Sequence, residues 1–174
     1  MKQGGANLSY NTEEIGTLVV RLANRKLTPY QVEKINLGTV DNKIAEFIQK
    51  TVRLDMKEFT HGVDNYALHH TLRKHKYDQI PLVPEDFTKI DIILKNPNTI
   101  RYEGKTKQGL HAFKYTKRLN DTIYYYVEEV RTGNRTLHLK TMYKTKTPSG
   151  ASNALEELGA IRPSHRDPDT VKCF

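Results

Sequence analysis

The pattern of hydrophobic and polar positions changes its period near Pro97. Before that residue, apolar positions recur every three or four residues, which is typical of helices packed on a core. After it, apolar and polar residues alternate between turn signals such as Gly109 and Gly133-Asn134, and predict strands over 99–102, 110–118, 122–132 and 136–145. Helices followed by a run of strands predict an α+β fold, in which N-terminal helices pack on a C-terminal antiparallel, twisted sheet of four or five strands.

Start signals predict the elements of the first half. Asp41 is an N-cap residue that predicts one helix around Phe47, and Leu68, Leu72 and His75 share one face of a second helix predicted over 64–76. Pro84 predicts a third, short helix that ends at Leu94. Ahead of these, we expect a polar linker over 1–16, a strand over 17–22 and a short helix over 30–35.

Chain length and composition predict one domain with tails. A usual domain has about 100–150 residues, and 37% hydrophobic residues in a chain of 174 fit one modest core. We expect a linker or N-terminal extension over 1–27, the folded domain over 28–147 and an irregular tail over 148–174. No apolar run approaches the roughly 20 residues of a membrane span, and the first residues lack a signal-peptide core. Cys173 is the only cysteine, so an internal disulfide and a cysteine zinc cluster are excluded, as suits a reducing compartment.

Positive charge is concentrated in the strand region. Residues 104–147 hold ten Lys or Arg against three Asp or Glu, which is +7 of the net +8 of the whole chain. Five tyrosines interleave with these cations, at Tyr115, Tyr124, Tyr125, Tyr126 and Tyr143. A basic sheet with aromatic side chains suits a polyanion with stacking bases, that is, a nucleic acid. The alternative is a solvated sheet surface on which lysines protect edge strands from aggregation.

The last hairpin predicts which side chains share a face of the sheet. If Gly133-Asn134 is a two-residue turn, the numbers of each facing pair add up to 267. One face then carries Glu128, Thr141 and Tyr143, whereas Arg131 lies on the other. A carboxylate on a mostly apolar face needs a partner, because burying it unpaired costs several kcal/mol. Glu128 is therefore either a structural hydrogen-bond acceptor or a catalytic group.

Three histidines, His69, His70 and His75, belong to the densest group of titratable side chains. His70 and His75 lie about 140° apart around a helix, so they do not share a face on which they could bind zinc. Histidine titrates near neutral pH, which suits a site that needs a proton acceptor and a proton donor at a phosphate. The alternatives are a hydrogen-bonded core histidine at position 75 and a solvated surface histidine at position 70.

Two runs of the sequence contain several of these residues. YALHHTLRKH over 66–75 contains the three histidines, and YYYVEEVRTG over 124–133 contains Glu128 and Arg131. The first resembles a helix found in phage-associated nucleases of the barnase/EndoU/colicin/RelE-like (BECR) superfamily. In that helix a histidine, basic residues and another histidine follow one another. The second, with LHLKTMYK over 137–144, resembles the last hairpin of that superfamily. The order of a helical half, a proline-bounded connector and a four-stranded sheet is also similar, so the resemblance extends over about residues 36–147.

The resemblance implies a BECR-like fold and a metal-independent ribonuclease that uses no cofactor. In that chemistry the ribose 2′-OH attacks the adjacent phosphate, which leaves a 2′,3′-cyclic phosphate and a 5′-OH end. Residues that match the two motifs are implied to be catalytic, namely His70, His75, Glu128, Thr141 and Tyr143. Arg131 matches the hairpin motif as well, and Lys105 lies at a turn beside the sheet. We expect four residues to bind substrate, namely Lys105, Arg131, Lys140 and Lys144.

Domains of this kind are commonly toxins carried by phage or delivered by polymorphic toxins, which implies further expectations. The substrate is RNA, either tRNA or another cellular RNA, and the domain acts in the bacterial cytoplasm of its host or of a target cell. An acidic immunity or antitoxin protein covers the basic surface. Two other functions fit the same sequence. A non-catalytic RNA- or DNA-binding module would use only the basic sheet, and a structural phage adaptor domain would use it as a protein interface.

Overall fold

The computed structural model describes residues 12–23 and 32–148. The elements follow one another along the chain as α1 (Thr12–Ala23), β1 (Lys34–Thr39), α2 (Asn42–Val52), β2 (Thr60–Asp64), α3 (Asn65–Lys74), a 3₁₀ helix (Pro84–Lys89), α4 (Ile90–Lys95), β3 (Thr99–Lys105), β4 (His111–Leu119), β5 (Thr122–Arg131) and β6 (Thr136–Lys146). One 3₁₀ turn, Thr132–Asn134, connects β5 to β6. No helix within 12–23 or 32–148 is long and apolar enough to cross a membrane.

The predicted α+β fold is confirmed, but the sheet has six strands rather than four or five. Their order is β1-β2-β6-β5-β4-β3, and neighbours are antiparallel except β2 and β6, which are parallel. Neither β1 nor β2 was predicted as a strand. β2 has only five residues, includes Gly62 and buries four consecutive residues, so its sequence shows no alternation that would predict a strand.

The elements predicted between Asp41 and Thr145 are present. β3 to β6 correspond to the four predicted strands, and α2, α3 and the 84–95 helical segment correspond to the three predicted helices. The Asp41 carboxylate accepts a hydrogen bond from the backbone N–H of Lys43 at 2.8 Å, and Asp64 accepts one from Ala67 at 2.7 Å. Both N-caps therefore satisfy backbone donors that a helix start would otherwise leave without a partner.

Two predictions in the N-terminal part are wrong. The segment predicted as linker and strand forms α1, because Ile15, Leu18 and Val19 recur at helical spacing and are buried in the core. The helix predicted over 30–35 is contradicted at Lys34 and Ile35, which begin β1. Residues 1–11, 24–31 and 149–174 lie outside the described residues, so the linker and tail expected there stay predictions.

The helices divide the sheet into two unlike faces. α2 covers what we call the core face, where Phe47 packs edge-on against Phe113 of β4 with ring centroids 6.2 Å apart. The 3₁₀ helix joins the same face through Asp86, which accepts a hydrogen bond from Tyr124 of β5. α3 begins where β2 ends and packs against β6. We call the opposite face, which carries Arg131 and Glu129 of β5, the cleft face.

Candidate active site

A β-bulge in the β5–β6 hairpin decides which residues reach the cleft face. Near the turn, Glu128 lies opposite Leu139, as the two-residue turn predicted. Farther along, Val127 lies opposite Thr141, so Lys140 is one extra residue in β6. An extra residue in one strand shifts the register of everything beyond it by one. Side chains of β6 after the bulge therefore exchange faces relative to the predicted register.

The bulge brings Thr141 and Tyr143 to the face of Arg131. Alternation along β5 places Val127, like Arg131, on the face opposite Glu128, and Thr141 is paired with Val127. The prediction that Glu128, Thr141 and Tyr143 share one face is therefore wrong. Arg131 keeps the face that the predicted register assigned to it.

His75 lies at the centre of a hydrogen-bonded row on the cleft face. Its Nδ1 is 2.7 Å from Oδ2 of Asp78, and its Nε2 is 3.0 Å from Oγ1 of Thr141. His75 is the C-cap of α3 and is only 9% exposed. Because an ionised carboxylate can only accept, the Nδ1–H of His75 donates to Asp78, and Nε2 makes the hydrogen bond to the Thr141 hydroxyl. An acidic side chain that orients an imidazole toward a hydroxyl is an arrangement used for proton transfer.

Two tyrosines extend this row into a stack of three rings. Tyr143 stacks on His75 with centroids 5.4 Å apart and an interplanar angle of 23°. Tyr125 stacks on Tyr143 at 4.7 Å and 14°. Burial raises the pKa of the Tyr143 phenol above its ordinary value, so at neutral pH the hydroxyl keeps its proton and can donate a hydrogen bond.

His70 lies on the opposite side of the bulge from His75. It is exposed and lines a cavity of about 230 Å³ with Tyr66, Glu129, Arg131, His138 and Lys140 among its neighbours. Partial desolvation, followed by the positive charges of Lys74 and Arg73, lowers the pKa of His70 from its ordinary 6.5. His70 is therefore largely unprotonated at neutral pH. Together the two histidines flank Lys140 and Thr141.

Ion pairs hold the floor of the cavity. Arg131 donates from Nε and Nη2 to Oε1 of Glu129 at 3.0 and 2.9 Å. Nε2 of His138 lies 2.9 Å from Oδ2 of Asp64. Burial raises the pKa of Asp64, but interaction with His138 and the hydrogen bond from Ala67 N–H outweigh it, so the pKa of this carboxyl is below its ordinary value.

Two predicted site residues lie on the core face instead. Glu128 is fully buried, and both of its carboxylate oxygens are 2.9 Å from Nδ1 of His61. The ammonium group of Lys144 is 2.7 Å from Oδ2 of Asp86, in a pair that is almost fully buried. Burial and the Asp86 hydrogen bond also raise the pKa of Tyr124 to about 12. Neither Glu128 nor Lys144 is brought near the histidines of the cleft.

Lys105 and most of the tyrosines are also placed away from the cleft. Lys105 ends β3, which is three strands from β6, and strand spacing makes that about 14 Å. Tyr115 and Tyr126 are fully buried, so the basic tyrosine surface expected from the sequence is smaller than predicted. The structure brings together the remaining predicted residues, which are His70, His75, Thr141, Tyr143, Arg131 and Lys140.

Sequence reasoning missed Asp78, Tyr125 and His138. Asp78 left a signal, because it stands three residues after His75 where a helix has just ended, within reach of that ring. Tyr125 and His138 left none, since their faces depend on tertiary pairing. Within 12–23 and 32–148, no three His, Cys, Asp or Glu side chains are grouped so that they could hold a metal ion.

A family model described as phage-Barnase-EndoU-ColicinE5/D-RelE like nuclease3 matches residues 38–151. Searches of curated proteins and of solved structures gave no significant match. The matched segment is more than half of the 174 residues and contains α3 and the whole β5–β6 hairpin. The chain therefore belongs to this family of BECR-like nucleases, and the resemblance inferred from the two sequence runs is confirmed.

Proposed function

We propose that this BECR-like nuclease domain is an endoribonuclease that cleaves RNA with side chains of the cleft face, without a metal ion or cofactor. The row of Asp78, His75 and Thr141, with contacts of 2.7 and 3.0 Å, is the observation that carries the proposal. A second histidine, His70, lies beside the neighbouring residue Lys140. One proton acceptor and one proton donor on either side of a phosphate are what this reaction needs.

The two histidines take different roles because their surroundings differ. His70, whose pKa is lowered, is unprotonated and accepts the proton of the ribose 2′-OH. The 2′-oxygen then bonds to phosphorus while the bond from phosphorus to O5′ breaks. Thr141 gives its hydroxyl proton to O5′ and receives the Nε2 proton of His75, which Asp78 holds in position. The products are a 2′,3′-cyclic phosphate and a 5′-OH, and proton exchange with water restores both rings.

Neighbouring side chains would stabilise the charge that develops on the phosphate. Arg131 and Lys140 supply positive charge beside His70, and Tyr143 supplies a hydroxyl that keeps its proton. Tyr125 is the outer ring of the aromatic stack and is only half-buried, so a nucleobase can stack on it. Glu128, in contrast, acts by holding His61 in the core rather than by contacting RNA.

The biological setting is part of the same proposal. The description of the family as phage-related and the net charge of +8 support a domain that acts on cellular RNA, tRNA being one such substrate, in the bacterial cytoplasm. A toxin role follows if that RNA is essential to the cell. An acidic protein that covers the basic cleft would then be its natural inhibitor.

Incubation of the purified protein with total RNA, with and without EDTA, tests the proposal. We expect fragments in both samples, with 2′,3′-cyclic phosphate and 5′-OH ends, and resistance of RNA that carries a 2′-deoxyribose at the cleaved position. Loss of cleavage with EDTA would overturn the metal-free mechanism. RNA that is bound but stays whole would instead favour a non-catalytic binding module.

A further inference from the structure

A second cavity, of about 330 Å³, opens on the cleft face on the far side of Arg131 and His138. Its lining includes Lys34, Asn36, Gly62, Asn134 and Thr136, which come from β1, β2, the β5–β6 turn and β6. Its volume is at the lower end of the range of about 300–1,000 Å³ that is usual for small-ligand pockets. None of the reaction steps above uses this cavity.

Strand pairing shows that this cavity and the cavity lined by His70 belong to one groove. Asn36 lies opposite Gly62, Gly62 opposite His138, and His138 opposite Glu129, so these four residues form one row across the cleft face. Arg131 and His138 line both cavities. His138 and Thr141 are three residues apart on β6, a distance of about 10 Å. A short single strand of RNA over Thr141 would reach the second cavity.

The floor of the cavity depends on a glycine. A Cβ atom added to Gly62 would lie 2.7 Å from Cγ2 of Thr136 and 3.7 Å from Nδ1 of His138. The first distance is too short for any real contact, so a side chain at position 62 would both fill the floor and push Thr136 aside. The missing side chain leaves the space between β1 and β6 open for a ligand.

The lining is cationic and rich in amide groups. Lys34 is exposed and makes no ion pair with any residue of 12–23 or 32–148, while Arg131, whose guanidinium is paired with Glu129, borders the cavity from β5. Oδ1 of Asn36 accepts a hydrogen bond from the N–H of Gly38 at 2.8 Å, which leaves the NH₂ group of Asn36 for a ligand. No Asp or Glu is among the lining residues. Positive charge suits a phosphate, and side-chain amides suit the edge of a base.

We propose that this cavity binds one nucleotide of single-stranded RNA, next to the nucleotide whose phosphate lies over Thr141. The proposal rests on the proposed ribonuclease function and adds a subsite to it. Lys34 contacts the phosphate of the bound nucleotide, and the amide groups of Asn36 and Asn134 contact its base. This subsite makes binding and cleavage depend on the length of the RNA.

Binding of uncleavable RNA tests the subsite without requiring catalysis. The probes are fluorescent 2′-O-methyl oligoribonucleotides of two and six nucleotides, whose affinity for the full chain is measured by anisotropy at low salt. Lys34→Ala removes the cation, and its matched control is Lys43→Ala, an equal charge change at an exposed residue of α2. Gly62→Ala combined with Thr136→Ser fills the floor while removing the clashing methyl group, and Thr136→Ser alone is its control.

We expect Lys34→Ala and the floor-filling double variant to weaken binding of the hexanucleotide about tenfold, and the two controls to weaken it by less than about twofold. The dinucleotide should lose less affinity than the hexanucleotide. Equal effects of Lys34→Ala and Lys43→Ala, or no binding of either probe, would overturn the subsite. Thermal unfolding of each variant identifies those that bind poorly because they are unfolded.

A parallel cleavage assay separates the two proposals. If wild-type protein binds the hexanucleotide through Lys34 but leaves unmodified RNA whole, the ribonuclease function fails while the nucleotide site stands. If wild-type protein cleaves RNA and Lys34→Ala leaves hexanucleotide binding intact, the function stands while the subsite fails.

Discussion

Two histidine–carboxylate pairs lie on opposite faces of the same sheet. His61 and Glu128 on the core face have side chains that are both 0% exposed, whereas His75 and Asp78 are 11% and 39% exposed. The ring of His61 in the first pair packs edge-on against the buried Tyr115, and the second pair ends at Thr141 beside an open cavity. The same pairing chemistry therefore serves two purposes, and access to substrate distinguishes them.

The two pairs also differ in what their loss would do. Removing one partner of a buried pair leaves the other charged or polar group without compensation inside the core. The cleft pair includes the partly exposed Asp78 and borders an open cavity, so its loss leaves a smaller uncompensated group inside the protein. We therefore expect mutations of the core pair to reduce stability and mutations of the cleft pair to reduce the rate of cleavage.

The largest expected effect is on the rate, for His75→Ala. General acid–base catalysis contributes about 10²–10⁴-fold, so RNA cleavage should fall by that factor. Single-turnover cleavage measures the loss, and thermal unfolding serves as the control. An unchanged rate in a folded variant would remove His75 from the mechanism.

Glu128→Ala should act on stability instead. Breaking a buried ion pair typically costs about 3–5 kcal/mol, which urea denaturation would measure. The double variant His61→Leu with Glu128→Leu should recover most of this free energy, since apolar residues replace both partners. If Glu128→Ala is as stable as wild type but inactive, Glu128 belongs to the active site after all.

Lys140 and Lys144 test the same contrast through salt dependence. Lys140→Ala should weaken RNA binding and lower the slope of log affinity against log salt by about 1, because one phosphate contact is lost. Lys144→Met should leave that slope unchanged, because Lys144 is paired with Asp86 on the core face. A lower slope for Lys144→Met would show that RNA contacts the core face, which would contradict the proposed site on the cleft face.

The smallest expected effect is a shift in pH dependence. His70 acts as a base only when unprotonated, so the cleavage rate should fall as the pH drops through its pKa, which lies below 6.5. Lys74→Ala removes a positive charge that lowers this pKa. The acid limb of the pH–rate profile should therefore move to higher pH, whereas Lys76→Ala should leave it in place. If the acid limb of the profile lies at the same pH in wild type, Lys74→Ala and Lys76→Ala, His70 is excluded as the base.

Local signals in the sequence were sufficient for much of the fold. The N-cap Asp41, the stripe of Leu68 and Leu72 and the alternation after Pro97 predicted α2, α3 and four strands, because caps, periodicity and turns depend on residues close in the sequence. The two runs around α3 and the last hairpin were sufficient for the family. β1 and β2 were missed, since short strands acquire their order from partners elsewhere in the chain.

The sequence by itself determined the chemistry that is available, namely the histidines of α3 and the hydroxyls and cations of β6. Only the tertiary structure decided which of these groups meet. One extra residue at Lys140 moves Thr141 and Tyr143 to the face of Arg131 and leaves Glu128 in the core. The physical reason is the two-residue period of a strand, which turns a register shift of one residue into a change of face.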